Sequence, residues 1–197
     1  MNKDVEKIKW HATIFGVEDV SAVILDDPRF SIWWGGLKTQ HHDFNGGLAK
    51  NTLEVIELTQ TCTEILPVEL DGTELFLSAL FHDVGKMYDY TPNTDTILPD
   101  GTITEFKSTP HKRLIHHISR SALMWSHAIT PYEELYEQYH DKVLHNILSH
   151  HGQREWGSPV SPKTSEAWML HLCDGISARM NDYNKIDLVV NNNPVKL

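Results

Sequence analysis

The chain has 197 residues, enough to bury one substantial core, and its 40% hydrophobic and 22% charged content is that of an ordinary globular domain. No apolar run reaches the roughly 18 residues that a membrane span needs, and two cysteines, Cys62 and Cys173, suit a reduced setting better than a disulfide scaffold. A formal charge of −10 argues against a broad basic face that grips duplex phosphates, so work on an anion calls for locally concentrated cations, a small ligand or recruited metal ions.

From the N-terminus, MNKDVEKIKWH lacks the apolar core of a signal peptide. Residues 3–25 carry apolar side chains at helical spacing and read as one or two helices. Pro28 and Gly35-Gly36 mark a loop that continues through His41-His42 to Gly46-Gly47. A helix from about Leu48 to Ile65 follows, and Asp71-Gly72 opens another whose Leu75, Leu77, Leu80 and Phe81 lead into His82-Asp83. Between 88 and 107, short β-like runs flank Pro99-Asp100-Gly101, a hairpin signal. Helical pattern resumes from about Pro110 to His127, and Pro131 fits the first turn of a helix reaching about His150. After a loop with Gly152, Gly157, Pro159 and Pro162, Ser165 is placed to cap a last helix through Leu170, Leu172, Ile176 and Met180. Residues 183–197, with three consecutive Asn and a Pro, are expected to be loose or extended. The fold class is therefore all-α with one small hairpin, without alternating strands and helices and without a glycine-rich phosphate loop.

Thirteen histidines are the compositional outlier, with pairs at His41-His42, His116-His117 and His150-His151. His82, Asp83, His117, His150, His151 and Asp174 lie on or near four separate predicted helices. One histidine at a helix end is usually no more than a satisfied polar residue. Asp174 says more, because it follows Trp168, Leu170, Leu172 and Cys173 in a stretch patterned as buried, and a buried carboxylate needs a partner. His117, between Leu114-Ile115 and Ile118, is similar. A shared cation answers all of them at once. Mixed imidazole and carboxylate donors without thiolate suit Mn, Fe, Ni, Zn or Mg, and the set is large enough for one or two ions with Asp83 placed to bridge them.

In order and spacing, HDVGK, IHHISRS, LSHHGQREWGSPVSPKTSEA and LHLCDGISARM, preceded by DDPRF and HHDFNGGLAKNTLEV, resemble the HD-domain metal-dependent phosphohydrolase superfamily. The likeness extends to the HD module of bacterial 3'-5' exoribonucleases and related phage and plasmid proteins, and covers roughly residues 25–183. It implies a helical bundle over residues 1–183 with a C-terminal tail at 184–197, built around a mono- or binuclear divalent metal centre. His82 and Asp83 match the defining pair, His117 the third position, His150 and His151 the paired histidines, and Asp174 the terminal aspartate. One position departs. Where the family reads GGLxxHT this chain reads GGLAKNT, so Asn51 stands at the first metal histidine. Three readings follow: Asn51 serves through its amide oxygen or His41 or His42 is recruited; the site has lost one ion and its activity; or the substitution is deliberate.

The resemblance implies hydrolysis of phosphate or phosphodiester bonds in nucleotides or short single-stranded nucleic acid, in a 3'-5' exonuclease-like manner. Asp83 would hold the ions and accept a proton, and Lys86 would meet developing phosphate charge. Arg120, Lys112 and Arg113 are candidate phosphate contacts, and Trp34 and Trp156 candidate base contacts; surface solvation and core packing are the rival roles. Most other aromatics, including Trp125 and Trp168, fit helix-packing positions. A (deoxy)nucleoside triphosphate phosphohydrolase or nucleotidase is the alternative that the acidic charge favours. A non-catalytic nucleotide-binding protein with a degraded metal site is the alternative that Asn51 favours, and a plain helical interaction protein is a third. The expected partner is a nucleotide or short single strand, with no membrane, in the cytoplasm (the host's, if phage-encoded); a homo-oligomer is compatible with all of this.

Overall fold

Asp71 caps the helix Gly72–Phe81 by accepting the Glu74 N–H at 3.0 Å. Every side chain from Glu74 to Phe81 is buried, as a helix that is apolar on nearly all sides must be. The computed structural model of the protein describes residues 2–37 and 41–191, with side chains described through residue 182. Around that central element are α1 (Lys3–Phe15), α2 (Glu18–Leu25), α3 (Gly47–Ile65), α4 itself, α5 (Lys86–Asp89), β1 (Tyr90–Pro92), β2 (Phe106–Ser108), α6 (Pro110–Leu114), α7 (His117–Ile129), α8 (Glu133–Ser149) and α9 (Ser165–Asn191). α4 packs against α1, α3, α7, α8 and α9, so it is enclosed along its length by the other long helices.

Ile8, Ile24, Leu48, Ile56, Leu77, Phe81, Trp125, Val143, Ile147 and Leu170 form one contiguous core. Trp125 has no exposed surface; its ring meets Phe81 edge-on at 5.1 Å and its N–H donates to the His140 carbonyl at 2.9 Å. The hairpin is present with shorter strands than the sequence suggests. β1 and β2 pair antiparallel from Tyr90–Ser108 to Pro92–Phe106, and Ile97 bridges Ile103 around a turn at Asp100-Gly101.

Four helix boundaries differ from the sequence expectation. The stretch 110–127 is two helices rather than one, because His116 takes a φ of 70° between α6 and α7. Pro131 lies in the turn before α8 rather than in its first turn. α9 is capped by Thr164, whose Oγ1 accepts the Ala167 N–H at 3.1 Å, so Ser165 is already helical. That helix runs on to Asn191 where loose chain was expected from 183; residues 192–197 lie outside the described residues. Trp168 and Leu172 are about half exposed rather than packed.

Truncating Trp125 removes the largest buried ring. Trp125→Ala is expected to lower unfolding free energy by about 3–5 kcal/mol, read from the urea midpoint; a loss under about 1 kcal/mol would contradict the placement of this core.

Candidate metal centre

Gly85 brings the chemistry together. A Cβ there would lie 2.2 Å from the His117 carbonyl oxygen, so only glycine lets the end of α4 approach the start of α7 this closely. The Gly85 N–H donates to Ser121 Oγ at 2.9 Å and fixes the contact. His82 and Asp83 end α4, Lys86 opens α5, His117 opens α7, His150 and His151 follow α8, Asn51 sits on α3 and Asp174 on α9.

The imidazoles are aimed by their outer nitrogens. His82 Nδ1 meets the Ala79 carbonyl at 2.8 Å, His150 Nδ1 the Ile147 carbonyl at 2.6 Å and His151 Nδ1 the Trp156 carbonyl at 2.7 Å. Carbonyls only accept, so each Nδ1 donates and each Nε2 is left to face inward. His117 Nδ1 faces Asp89 Oδ2 at 3.1 Å with the same result. The inward atoms converge on Asp83: its Oδ1 is 3.5 Å from His117 Nε2 and 3.7 Å from His150 Nε2, and its Oδ2 is 3.4 Å from His82 Nε2. Asp174 Oδ1 closes on His82 Nε2 at 3.5 Å. These separations exceed good hydrogen bonds, and His82 Nε2, His117 Nε2, His150 Nε2 and Asp83 Oδ1 are all buried without a hydrogen-bond partner. Four orphaned buried donor atoms pointing at one volume are costly unless a cation joins them, so the residues present fit divalent metal. Two sets have ligand atoms within 4.8 Å of one another here, His82-Asp83-Asp174 and His117-His150-His151.

The electrostatics agree. Burial holds His117 down at about 4 and His151 at about 3, so both imidazoles are neutral at pH 7, as a ligand must be. Burial also disfavours the charged form of His82, yet Asp83 and Asp174 outweigh it and raise this group to about 10. Two carboxylates that attract a proton so strongly attract a cation for the same reason. Burial raises Asp83, but Lys86 and His82 reverse that and hold it well below the usual carboxylate range. The Lys86 ammonium is buried and 2.6 Å from Asp83 Oδ2.

The other predicted contacts divide. Lys112 Nζ donates to the Tyr90 hydroxyl at 3.0 Å and lies 4.6 Å over that ring. Trp156 is 55% exposed beside His151. Trp34 is buried against Phe106, with its N–H spent on Asn45 Oδ1 at 2.9 Å. Arg120 turns away from the centre, its Nε on His111 Nε2 at 3.1 Å and its guanidinium 4.7 Å over the Tyr88 ring.

Asn51 is inside the cluster and buried. Its Nδ2 lies 3.5 Å from Asp174 Oδ1, and its Oδ1 is 3.0 Å from Ser177 Oγ. Ser177 Oγ is also 2.7 Å from Glu54 Oε2, and Glu54 meets His42 Nε2 at 3.0 Å. His42 Nδ1 faces His41 Nδ1 at 3.3 Å, so both ring nitrogens of His42 already have neighbours.

Sequence reasoning missed Asp89. It is fully buried, accepts the His117 backbone N–H at 3.2 Å as well as the ring contact, and meets His111 Nδ1 at 2.8 Å. Glu54 and Ser177, which brace Asn51, were missed as well. None of the three carries a local signal, because each is defined by a partner from a distant part of the chain.

The HD domain family model matches residues 48–179, and the chain belongs to that family. Over 182 residues it is 32% identical to the 3'-5' exoribonuclease YhaM of Bacillus subtilis (strain 168), covering 91% of this chain and 50% of the relative. It is 34% identical over 144 residues to the 3'-5' exoribonuclease YhaM of Shouchella clausii (strain KSM-K16), covering 72% of this chain and 40% of the relative. The chain thus spans about half the length or less of these curated relatives. No solved structure matches. No described helix is long and apolar enough to cross a membrane.

Two outcomes follow from the bracing. Asp89→Ala should weaken Mn2+ binding about 10–100-fold in equilibrium dialysis, with Asp89→Asn recovering part of the loss; unchanged affinity in Asp89→Ala would contradict its hold on His117. Burial raises Glu54, but bonds to His42 and Ser177 and the charge of Lys50 prevail and lower it from 4.5 to about 2. Its stabilisation is therefore complete above pH 4.5 and lost as pH falls towards 2. The urea midpoint of Glu54→Gln should lie below wild type at pH 6 and converge with it over that window; a gap that does not change with pH would contradict the assignment.

Proposed function

We propose that the chain is a divalent-metal phosphohydrolase that shortens single-stranded RNA from the 3' end; the relatives it resembles are named 3'-5' exoribonucleases. The observation that supports it most is the set of orphaned Nε2 atoms of His82, His117 and His150 around the orphaned Oδ1 of Asp83. His82, Asp83, His117, His150, His151 and Asp174 would hold one or two ions. Such ions supply an activated water and neutralise phosphoryl oxygens.

The chain's own residues do the remainder. Asp83 is held so firmly ionised that its part is to bind cations rather than to carry a proton. Lys86 fixes Asp83 and adds positive charge beside a reacting phosphate. Asp174 and His151 are the partly exposed members of the set, so substrate reaches the centre from their side. Trp156, whose carbonyl meets His151 Nδ1, has an exposed ring suited to stack a base, and Lys112, held by the Tyr90 hydroxyl, would meet a phosphate. Trp34 supports the wall of the hairpin instead, and Arg120 acts at most through His111 and Asp89.

Asn51 joins the ligands by turning over its carboxamide. Ser177 has one hydroxyl proton, and the shorter contact commits it to the Glu54 carboxylate. With the amide turned, Nδ2 would donate to Ser177 and Oδ1 would be free on the Asp174 side to serve a cation there. Asn51 also supports a second reading, a nucleotide-binding protein with a weakened centre.

One experiment separates these. The protein with Mn2+ is given a 5'-labelled single-stranded oligoribonucleotide, dNTPs and cyclic nucleotides in parallel, beside Asn51→His. The proposal expects a ladder that shortens from the 3' end in wild type, and tighter Mn2+ binding in Asn51→His. Consumption of free nucleotides alone would favour the nucleotidase, and turnover in Asn51→His alone would favour the weakened centre.

A further inference from the structure

Between β2 and α7 the chain folds into a concave surface of about 650 Å³, lined by Ser108, Thr109, Lys112, Arg113, Leu114 and His116. That volume is in the range of small-ligand sites, roughly 300–1,000 Å³. The surface shares a wall with the metal centre. The His116 ring lies 4.0 Å from that of His117 and 6.4 Å from that of His151. His116, His117 and Asp89 also place one potential ligand atom each within 4.8 Å of one another. A molecule held in this concavity therefore abuts the ligand set.

His116 holds this wall in an unusual conformation. Its φ of 70° with ψ of 151° is a backbone conformation that non-glycine residues rarely adopt. The surroundings hold it there: its N–H donates to the His111 carbonyl at 3.1 Å and its carbonyl accepts the Arg120 N–H at 3.1 Å. The resulting break turns α6 out of line with α7 and presents Lys112, Arg113 and Leu114 along one lip.

The chemistry of that lip is specific. In a chain of net charge −10, Lys112 and Arg113 stand side by side, and among the described residues neither pairs with a carboxylate. Lys112 is held in place by the Tyr90 hydroxyl and ring. Leu114 is 76% exposed next to them. Fixed and free cations beside an exposed apolar side chain suit an anionic backbone that carries flat apolar groups.

We propose that this concavity is the subsite for the phosphodiester chain adjoining the scissile bond of a single-stranded oligoribonucleotide. Lys112 and Arg113 take a neighbouring phosphate, Leu114 meets a base, and His116 forms the boundary with the metal centre. The inference rests on the hydrolytic reading above for the nature of the substrate, and on the concavity alone for its place.

Binding of a fluorescein-labelled phosphorothioate hexauridylate, which resists cleavage, tests it by anisotropy with Mn2+ present. Arg113→Glu should weaken binding about tenfold, and the slope of log affinity against log salt should fall by about 0.7 for each phosphate that the variant no longer neutralises. The loss for the hexamer should exceed the loss for uridine 5'-monophosphate. Lys7→Glu, the same charge change on α1, should leave hexamer affinity within twofold. Leu114→Asn is the second variant, a neutral change expected to weaken the hexamer without altering the charge beside Lys112 and Arg113; both positions are exposed, and circular dichroism confirms the fold. Equal hexamer affinity in wild type, Arg113→Glu and Leu114→Asn overturns the subsite, as does no hexamer binding by wild type. Arg113-dependent binding without any hydrolysis of oligoribonucleotide supports the subsite and sinks the hydrolytic reading. Hydrolysis with binding that ignores Arg113 does the reverse.

Discussion

Asp83 is a carboxylate buried where several helices meet, and the molecule is organised around making that tolerable. One oxygen has the Lys86 ammonium at 2.6 Å; the other has imidazole nitrogens at 3.5 and 3.7 Å and no hydrogen bond. A buried charge so arranged is strongly unfavourable unless matched. Lys86 meets one of its oxygens. The other oxygen, with Asp174, is what a cation among the inward-turned nitrogens would satisfy.

Turning them inward requires a rigid frame, and the frame is built outward from α4. Because that helix is buried on nearly every side, its last turn cannot drift, and Gly85 allows α7 to close on it. Carbonyls at Ala79, Ile147 and Trp156 and the carboxylate of Asp89 then fix which nitrogen of each imidazole faces the centre. Asp89 is itself tied through His111 to Arg120, whose guanidinium rests on Tyr88. An arginine that the sequence offers as a phosphate contact thus supports His117 through two intervening residues, His111 and Asp89. The Ser177, Glu54 and His42 chain behind Asn51 is a parallel device on the other side of the centre.

Much of this was legible because the informative residues are chemically rare in their surroundings. His82-Asp83 at the end of an apolar run, His117 among apolar neighbours and His150-His151 before a glycine loop all stand out, and all converge. Asp174 was found on partly mistaken grounds: Trp168 and Leu172 are exposed, and the buried stripe is Ala167, Leu170, Cys173 and Ser177. What was not legible depends on tertiary partners or backbone strain. Asp89 means nothing until His117, 28 residues later, is placed against it. The break at His116 has no glycine or proline to announce it, so periodicity ran α6 and α7 together. Trp34 has the side chain of a stacking platform, but Phe106 and Asn45 use it up.

Cations in the volume bounded by these inward nitrogens and carboxylates are what the whole arrangement requires. Anomalous X-ray scattering at the manganese edge, from crystals grown with Mn2+, would locate them. A peak enclosed by the Nε2 atoms of His82, His117 and His150 and the carboxylate of Asp83 is expected. No peak there at saturating Mn2+, or manganese held only by residues elsewhere, would contradict a metal centre built on Asp83.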